Sequence, residues 1–389
     1  WRVDMRDLPS WRIAGAYFFY FAYLGAFAPY FGLYLSSIGV AAAGIGVIMS
    51  LPQLVRIVAP HLWGWLADRD GRAMRVARAG AVAGTFVFCA LFAVSSFEAV
   101  FAVVLLMSFF LSASLPLLES TTLSHIGAHH GRYGRLRIWG SLGFIAAVTL
   151  IGYALDVMPV AKLLCIMLGV LVAASLLMLL VPDAPHSHHD DSVAPISRIL
   201  RSSPVLALFA ACALMSVAHG PYYTFYSIYL VDHGYAKSAV GWLWTLGVVC
   251  EIAIFYWLAH LLAAFSLRAV LIASFVLATA RFLMIGWLAD SFVALLLAQT
   301  LHAASFGSFH ASALGYVNRF FGGRHQARGQ AIYTSFAYGI GGTLGGIYAG
   351  ASWESLGPAL TFTGASVCTF AGVLILWRYL REESVAALS

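Results

Sequence analysis

The amino-acid sequence predicts an all-α polytopic membrane protein of twelve transmembrane helices in two pseudo-symmetric six-helix bundles. Three observations carry this: the composition, the spacing of apolar runs, and an internal repeat. Of 389 residues, 61% are hydrophobic and only 10% are charged, whereas a soluble domain carries about 25% charged residues. A chain in water must still cover its surface with polar groups, so this composition excludes a soluble enzyme, a disordered chain and a nucleic-acid-binding protein.

A spanning helix needs about 20 largely apolar residues. Runs of that kind fall near 11–36, 44–67, 76–95, 99–125, 135–155, 162–181, 204–230, 239–263, 268–288, 292–318, 329–351 and 357–380. Most connections are short, as antiparallel neighbours require. The exception is polar and holds Pro182, Pro185, Pro195 and Pro204. The expected organisation is therefore an N-terminal bundle over 1–182, a cytoplasmic linker over 183–203 and a C-terminal bundle over 204–389. The polar start WRVDMRD runs directly into a full-length span, with no pattern of a cleavable signal peptide.

The net charge of +6 is a topology signal and not a nucleic-acid footprint. Seventeen of the 22 basic residues fall on the side that carries the N-terminus and the even-numbered loops, against Lys162 and Lys237 on the other. Positive loops stay inside, so both termini are expected in the cytoplasm. The five cysteines, Cys89, Cys165, Cys212, Cys250 and Cys368, are odd in number, form no CxxC and lie in apolar runs. They read as small core residues, with no metal or cofactor site implied. His186, His188 and His189 with Asp190 and Asp191 fit no defined ligand spacing and read as a solvated linker.

The repeat has an offset of 195 residues. Tyr34, Leu35, Gly39 and Gly46 recur as Tyr229, Leu230, Gly234 and Gly241, and the same offset places Arg56 on Glu251. Parallel six-helix repeats around a central cavity are a secondary-transporter architecture.

Span two ends in Gly64-Trp-Leu-Ala-Asp68-Arg69-Asp-Gly71-Arg72, which resembles the major facilitator loop signature. The resemblance implies the major facilitator fold, and Gly64, Asp68, Arg69, Gly71 and Arg72 as a conformational latch. Gly64 would allow close helix approach, Asp68 would accept from a helix N-terminus, and Arg72 would pair with a carboxylate. The second half keeps only Trp257-Leu-Ala-His260 and loses the acid. Tyr133-Gly-Arg-Leu-Arg-Ile-Trp-Gly-Ser-Leu-Gly143 is similar to the span-five entry of lactose permease and of the 3-phenylpropionate transporter group. Glu119 precedes Arg137 by 18 residues, like the acid–arginine pair of the permease. His219, Tyr222-Tyr223, Ser238 through Glu251, Arg281, His302 and His310 look more like the phenylpropionate transporters. One departure matters: the permease's coupling acid in span ten is replaced by Ser305, and its lysine by Gln299.

A charge at mid-bilayer costs at least about 2.5–3.5 kcal/mol. Arg56, Glu119, Arg137, Glu251 and Arg281 are therefore expected to face a cavity and to pair, Glu119 with Arg137 and Glu251 with Arg281 or Arg56. Arg56, Arg137 and Arg281 outnumber Glu119 and Glu251 by one, which leaves a cation for an anionic substrate. Phe110, Phe144, Tyr222, Tyr223, Tyr226 and Trp244 are candidate walls for an aromatic ring. Burial and a titratable side chain make Glu119, Glu251, His302 and His310 the candidates for proton coupling.

The expected function is transport of a small organic anion, a phenylpropionate-like aromatic acid, by proton symport across the bacterial inner membrane. A sugar or nucleoside symporter and efflux of amphipathic compounds are the alternatives. An enzyme is disfavoured, because no nucleophile elbow or catalytic metal motif occurs. The expected partners are substrate, protons and the lipid bilayer, and the expected state is a monomer.

Overall fold

The computed structural model describes residues 9–127, 131–184 and 196–380. The linker histidines and aspartates at 186–191 lie outside them. In chain order the helices are α1 Ser10–Ser37, α2 Ala42–Arg56, α3 Ala59–Asp70, α4 Ala73–Phe88, α5 Phe97–Leu111, α6 Ser114–Ile126, α7 Gly131–Val157 and α8 Leu163–Leu180. They continue as α9 Ser197–Leu200, α10 Ser203–Asp232, α11 Lys237–Ala264, α12 Leu267–Trp287, α13 Phe292–Thr300, α14 Phe309–Phe320, α15 Gln326–Tyr333, α16 Gly341–Trp353 and α17 Pro358–Tyr379. No strand occurs among the described residues. That is the expected outcome where lipid offers no hydrogen bonds to the backbone.

Eleven spans are long and apolar enough to cross a bilayer. The twelfth expected span, near 329–351, is helical but built from α15, a π-helical turn Thr334–Ile340 and α16. Three other spans also carry an irregularity. α2 and α3 are separated by Ile57-Val58, just before Pro60, and α5 and α6 by Ser112-Ala113, before Pro116. A proline denies the helix a donor. α13 and α14 flank a second π segment, Ala303–Ser308.

The chain divides into two compact units: residues 1–40, 58–189 and 236–241 form the first, and 41–57, 190–235 and 242–389 the second. Within the first, α1 packs along α7 and α8, and α4 along α5, α6 and α8. Within the second, α10 lies against α16 and α17, α12 against α17, and α2 against α16. In lipid the hydrophobic effect does not drive helices together, so small residues that let backbones touch must do so. A Cβ at Gly25 would lie 2.7 Å from the Phe144 carbonyl oxygen, and one at Gly143 would overlap that of Phe18, both across α1–α7. In the second unit Gly220 meets the Gly345 backbone across α10–α16 in the same way.

The repeat is present in atomic detail. Gly39 and Gly234 are both left-handed, at φ 82° and 83°. Three consecutive amides in the turn after Ser37 donate to Tyr34, Ser36 and Leu35, and their counterparts 195 residues on donate to Tyr229, Val231 and Leu230. The lipid-facing surface carries exposed Phe86, Leu150, Tyr256 and Val367, with exposed Trp11, Trp65, Trp287 and Trp377 toward helix ends, where an aromatic belt belongs. Cys212 is buried, but Cys89 and Cys165 stand exposed on this surface. They are not core residues as expected: an apolar run in a membrane helix faces lipid as readily as protein.

The packing argument predicts a contrast between two glycines. Gly143→Ala forces a methyl into the α1 backbone and should cost about 1–3 kcal/mol. Gly169→Ala, on α8 with nothing within 4 Å of the new methyl, should be neutral or slightly stabilising. Thermal unfolding of the two purified variants checks this.

Candidate functional site

The second unit holds the most deeply buried charge among the described residues. Arg281 on α12 is fully buried. Its Nε donates to the Ala298 carbonyl at 3.1 Å and its Nη1 to Ser305 Oγ at 3.1 Å. The guanidinium lies over the Tyr222 ring at 4.2 Å and over Phe282 at 5.3 Å, which provides cation–π attraction. Its Nη2 has no partner among the described residues. No described carboxylate meets it, so the expected pairing with Glu251 is not made.

Glu251 instead stands 3.8 Å from His302 Nε2. Arg56 does not pair with Glu251 either: it ends α2, is exposed, and has no ion pair among the described residues. The physical reason is local. The Ala298 carbonyl and Ser305 Oγ take up Nε and Nη1 with neutral acceptors. Equal depth in two helices does not bring side chains together.

Around Arg281 lies a set of buried polar groups with unmet capacity. Tyr222 donates to Gln299 Oε1 at 3.1 Å, leaving Gln299 Nε2 without a partner. His219 Nδ1 lies 2.8 Å from the Met215 carbonyl. A carbonyl only accepts, so Nδ1 carries the proton and Nε2 is a bare acceptor, also unpartnered. His302 Nδ1 and the Tyr226 hydroxyl complete the set. Each such group costs about 1–3 kcal/mol if left unsatisfied, and five in one neighbourhood call for a ligand or water.

Aromatic rings enclose the group. Tyr222 is 4.5 Å from Trp244 and 4.9 Å from Tyr226, and Tyr223 stacks on His219 at 5.8 Å. Trp244 is fixed by its indole N–H to Ser227 Oγ, 3.1 Å. Further along, His302 and His310 both stack on Phe306, at 5.5 and 6.3 Å, and His310 Nδ1 hydrogen-bonds the Tyr338 hydroxyl at 2.8 Å. Thus His219, Tyr222, Tyr223, Trp244, Arg281 and His302 form one cluster. Ser305 and Gln299 belong to it as well, although from sequence they stand out only as departures from the permease pattern. Their signal was position, three residues either side of His302.

In the first unit Glu119 on α6 and Arg137 on α7 do pair, Nε to Oε1 at 3.5 Å, both about one-third exposed. Tyr133 donates to the same carboxylate oxygen at 3.5 Å, and Arg137 sits over Phe21 at 4.1 Å. Phe144 is half-buried on α7 with its backbone against Gly25. Phe110 packs near Trp63, at 6.2 Å.

The loop after α3 departs from its expected roles in two respects. An alanine methyl at Gly64 would have nothing within 4 Å, so Gly64 mediates no close helix approach. Arg72 makes no ion pair among the described residues; Arg75 pairs with Asp70 instead, at 3.4 Å. Gly71 is the left-handed cap of α3 at φ 65°, Asp68 and Arg69 are exposed, and Arg69 lies over Trp65. Asp183 meets the α4 N-terminus: it accepts from Met74 N at 2.9 Å and stands 3.6 Å from Arg78. Asp183 lies in the proline-rich linker, where sequence offers no hint of a fixed contact. Asp183→Ala removes a helix cap and should cost about 0.5–2 kcal/mol, read as a lower unfolding temperature with Arg78→Ala adding less than its own full effect.

Comparison with known proteins places these features. Residues 10–364 match the model of the MFS_1 like family. The maltose permease of Geobacillus stearothermophilus is 28% identical over 95% of this chain and 94% of its own length. A probable 3-phenylpropionic acid transporter of Escherichia coli (strain K12) is 27% identical over 91% and 94%. The crystal structure of the nucleoside transporter NupG superposes with a TM-score of 0.83 at 19% identity, over 96% of this chain and 98% of that one.

Proposed function

The chain belongs to the MFS_1 like family and is a secondary transporter of the major facilitator type, not an enzyme, and we propose that its substrate is a small organic anion. In this reading it moves an aromatic carboxylic acid by proton symport with alternating access. It acts as a monomer in a bacterial inner membrane, with both termini cytoplasmic and the Gly64–Arg72 loop as the cytoplasmic latch.

The observation that carries the substrate class is Arg281, fully buried with no described carboxylate beside it. An uncompensated buried cation is costly by several kcal/mol. A substrate carboxylate would offset that cost and take up the free Nη2 and Gln299 Nε2 donors. The rings of Tyr222, Tyr223, Tyr226 and Trp244 offer flat apolar surface to an aromatic group. Arg56, Phe144 and the Glu119–Arg137 pair remain further candidates for substrate contact. One observation favours a second reading, a sugar or nucleoside symporter: Glu119–Arg137 is charge-balanced and partly exposed, suited to hydroxyl groups, and the relatives include a maltose permease.

A thermal-shift panel separates the readings. Aromatic monocarboxylates should stabilise the protein, and maltose and nucleosides should not; the reverse result overturns the anion reading. Arg281→Met should keep or raise the unfolding temperature, because a well-packed apolar side chain often improves on a buried charge, while abolishing stabilisation by acids.

The proton path we assign to Glu251 and His302, with Glu119 and His310 as the other candidates. Glu251→Gln should abolish pH-driven uptake into proteoliposomes while sparing substrate exchange. Full gradient-driven uptake by both the Glu251→Gln and Glu119→Gln proteins would exclude the two acids.

A further inference from the structure

Besides α4, two further helix starts borrow their caps from distant acids, and these two do so in the same way. Helix α2 begins at Ala42 and α11 at Lys237, 195 residues apart, after Ala41 and Ala236. Alanine has no side-chain acceptor, so the first amides of both helices need one from elsewhere. Asp156, in the last turn of α7, accepts from Lys237 N at 2.7 Å and Ser238 N at 3.2 Å. Glu354, at the end of α16, accepts from Ala42 N at 3.0 Å. A carboxylate there is also favoured by the helix dipole.

Each acid closes a G-x-x-x-acid pattern, Gly152 to Asp156 and Gly350 to Glu354, with an offset of 198. The glycines match as the acids do. A Cβ at Gly152 would lie 2.7 Å from the Lys237 carbonyl oxygen, and one at Gly350 would lie 2.8 Å from that of Ala42. On the receiving helices, Gly241 meets the Val148 carbonyl oxygen, and Gly46 meets that of Gly346. Positions 148 and 346 again differ by 198. The two contacts, α7 with the start of α11 and α2 with α16, are therefore copies of one design. Each joins a helix of the first repeat to a helix of the second.

The design is suited to parting. Glycine faces bring backbones into contact with few side chains between them, Tyr30 at Gly152 and Gly241 and Ser50 at Gly346. Each contact carries one carboxylate at its end, and at the α7–α11 contact the Tyr30 hydroxyl also lies 3.4 Å from the Lys237 carbonyl oxygen. Successive spans alternate in direction, so Ala42–Asp70 starts, Arg132–Val157 ends and Lys237–Ala264 starts on the side opposite the Gly64–Arg72 loop.

We propose that Asp156 and Glu354 are the paired closing acids of a gate on that side, each gripping a helix N-terminus when shut and both releasing when the transporter opens there. The proposal rests on alternating access and not on the identity of the substrate. Asp156 holds two amides, and the Ser238 side chain hydrogen-bonds it as well, so its contact is the stronger.

The test needs no substrate. In a chain with its five cysteines replaced, single reporters Val240→Cys and Ile45→Cys sit beside Gly241 and Gly46, at 0% and 3% exposure. A membrane-impermeant maleimide is added to proteoliposomes from the gate side. Asp156→Ala should raise labelling of Val240→Cys about tenfold, and Glu354→Ala that of Ile45→Cys about fivefold. Asp156→Asn, which keeps an acceptor but loses the charge, should be intermediate. Val104→Cys, 0% exposed in α5, should stay protected and so report an intact fold. The proposal is overturned if labelling at both reporters stays within twofold of the parent in the double alanine variant while Val104→Cys remains protected. Should Val104→Cys become reactive in that variant, the single variants decide by the same threshold.

Discussion

The structure depends on one constraint: inside a bilayer every backbone donor must find its acceptor within the protein. That makes the chain helical and leaves helix association to close backbone contact. Gly25 and Gly143 supply that contact in the first unit, Gly220 in the second. Wherever a span breaks, a proline or a π turn sits beside the break, and the freed groups are taken up locally: Ser335 Oγ donates to the Ile57 carbonyl, and Ser112 Oγ to that of Phe109. The same accounting makes Arg281 conspicuous. Arg281 Nη2, Gln299 Nε2, His219 Nε2, His302 Nδ1 and Tyr226 Oη stay unmet in one place.

Most of the fold was legible because it is written in composition and periodic apolarity, which are local. The repeat was legible because Gly39 and Gly234 need the same left-handed turn, and that need fixes the residue type. The Glu119–Arg137 pair was legible because its spacing resembles the acid–arginine pair of lactose permease. The Glu251–Arg281 pairing was not, because it asked for contact between side chains on helices whose mutual rotation the sequence does not encode. Asp183 was missed for a related reason: its role depends on where the chain returns after α8, and its surroundings in sequence resemble an ordinary linker. Gly64 shows the converse error. A motif position matched, but here its packing neighbour is absent within 4 Å.

Charge placement in this protein divides by depth. Near the ends of the spans acids meet helix N-termini, as Asp183, Asp156 and Glu354 do, and such contacts gain from the dipole while water screens what remains. In the interior, Arg281 meets an aromatic face and neutral oxygens. The first kind of contact is easily exchanged for water. The second has nothing to exchange with except a ligand.

The π segment Ala303–Ser308 changes how span ten must be counted. A π turn accommodates an additional residue, so residues beyond it are rotated relative to the face they would occupy in an unbroken α-helix. His302 lies just before the segment, Ser305 within it and His310 just after. A rule that assigns a partner three residues after the histidine presumes about 3.6 residues per turn. In this span the count carries across a change of pitch, so equal spacing in a relative without the π turn would describe a different direction around the helix axis.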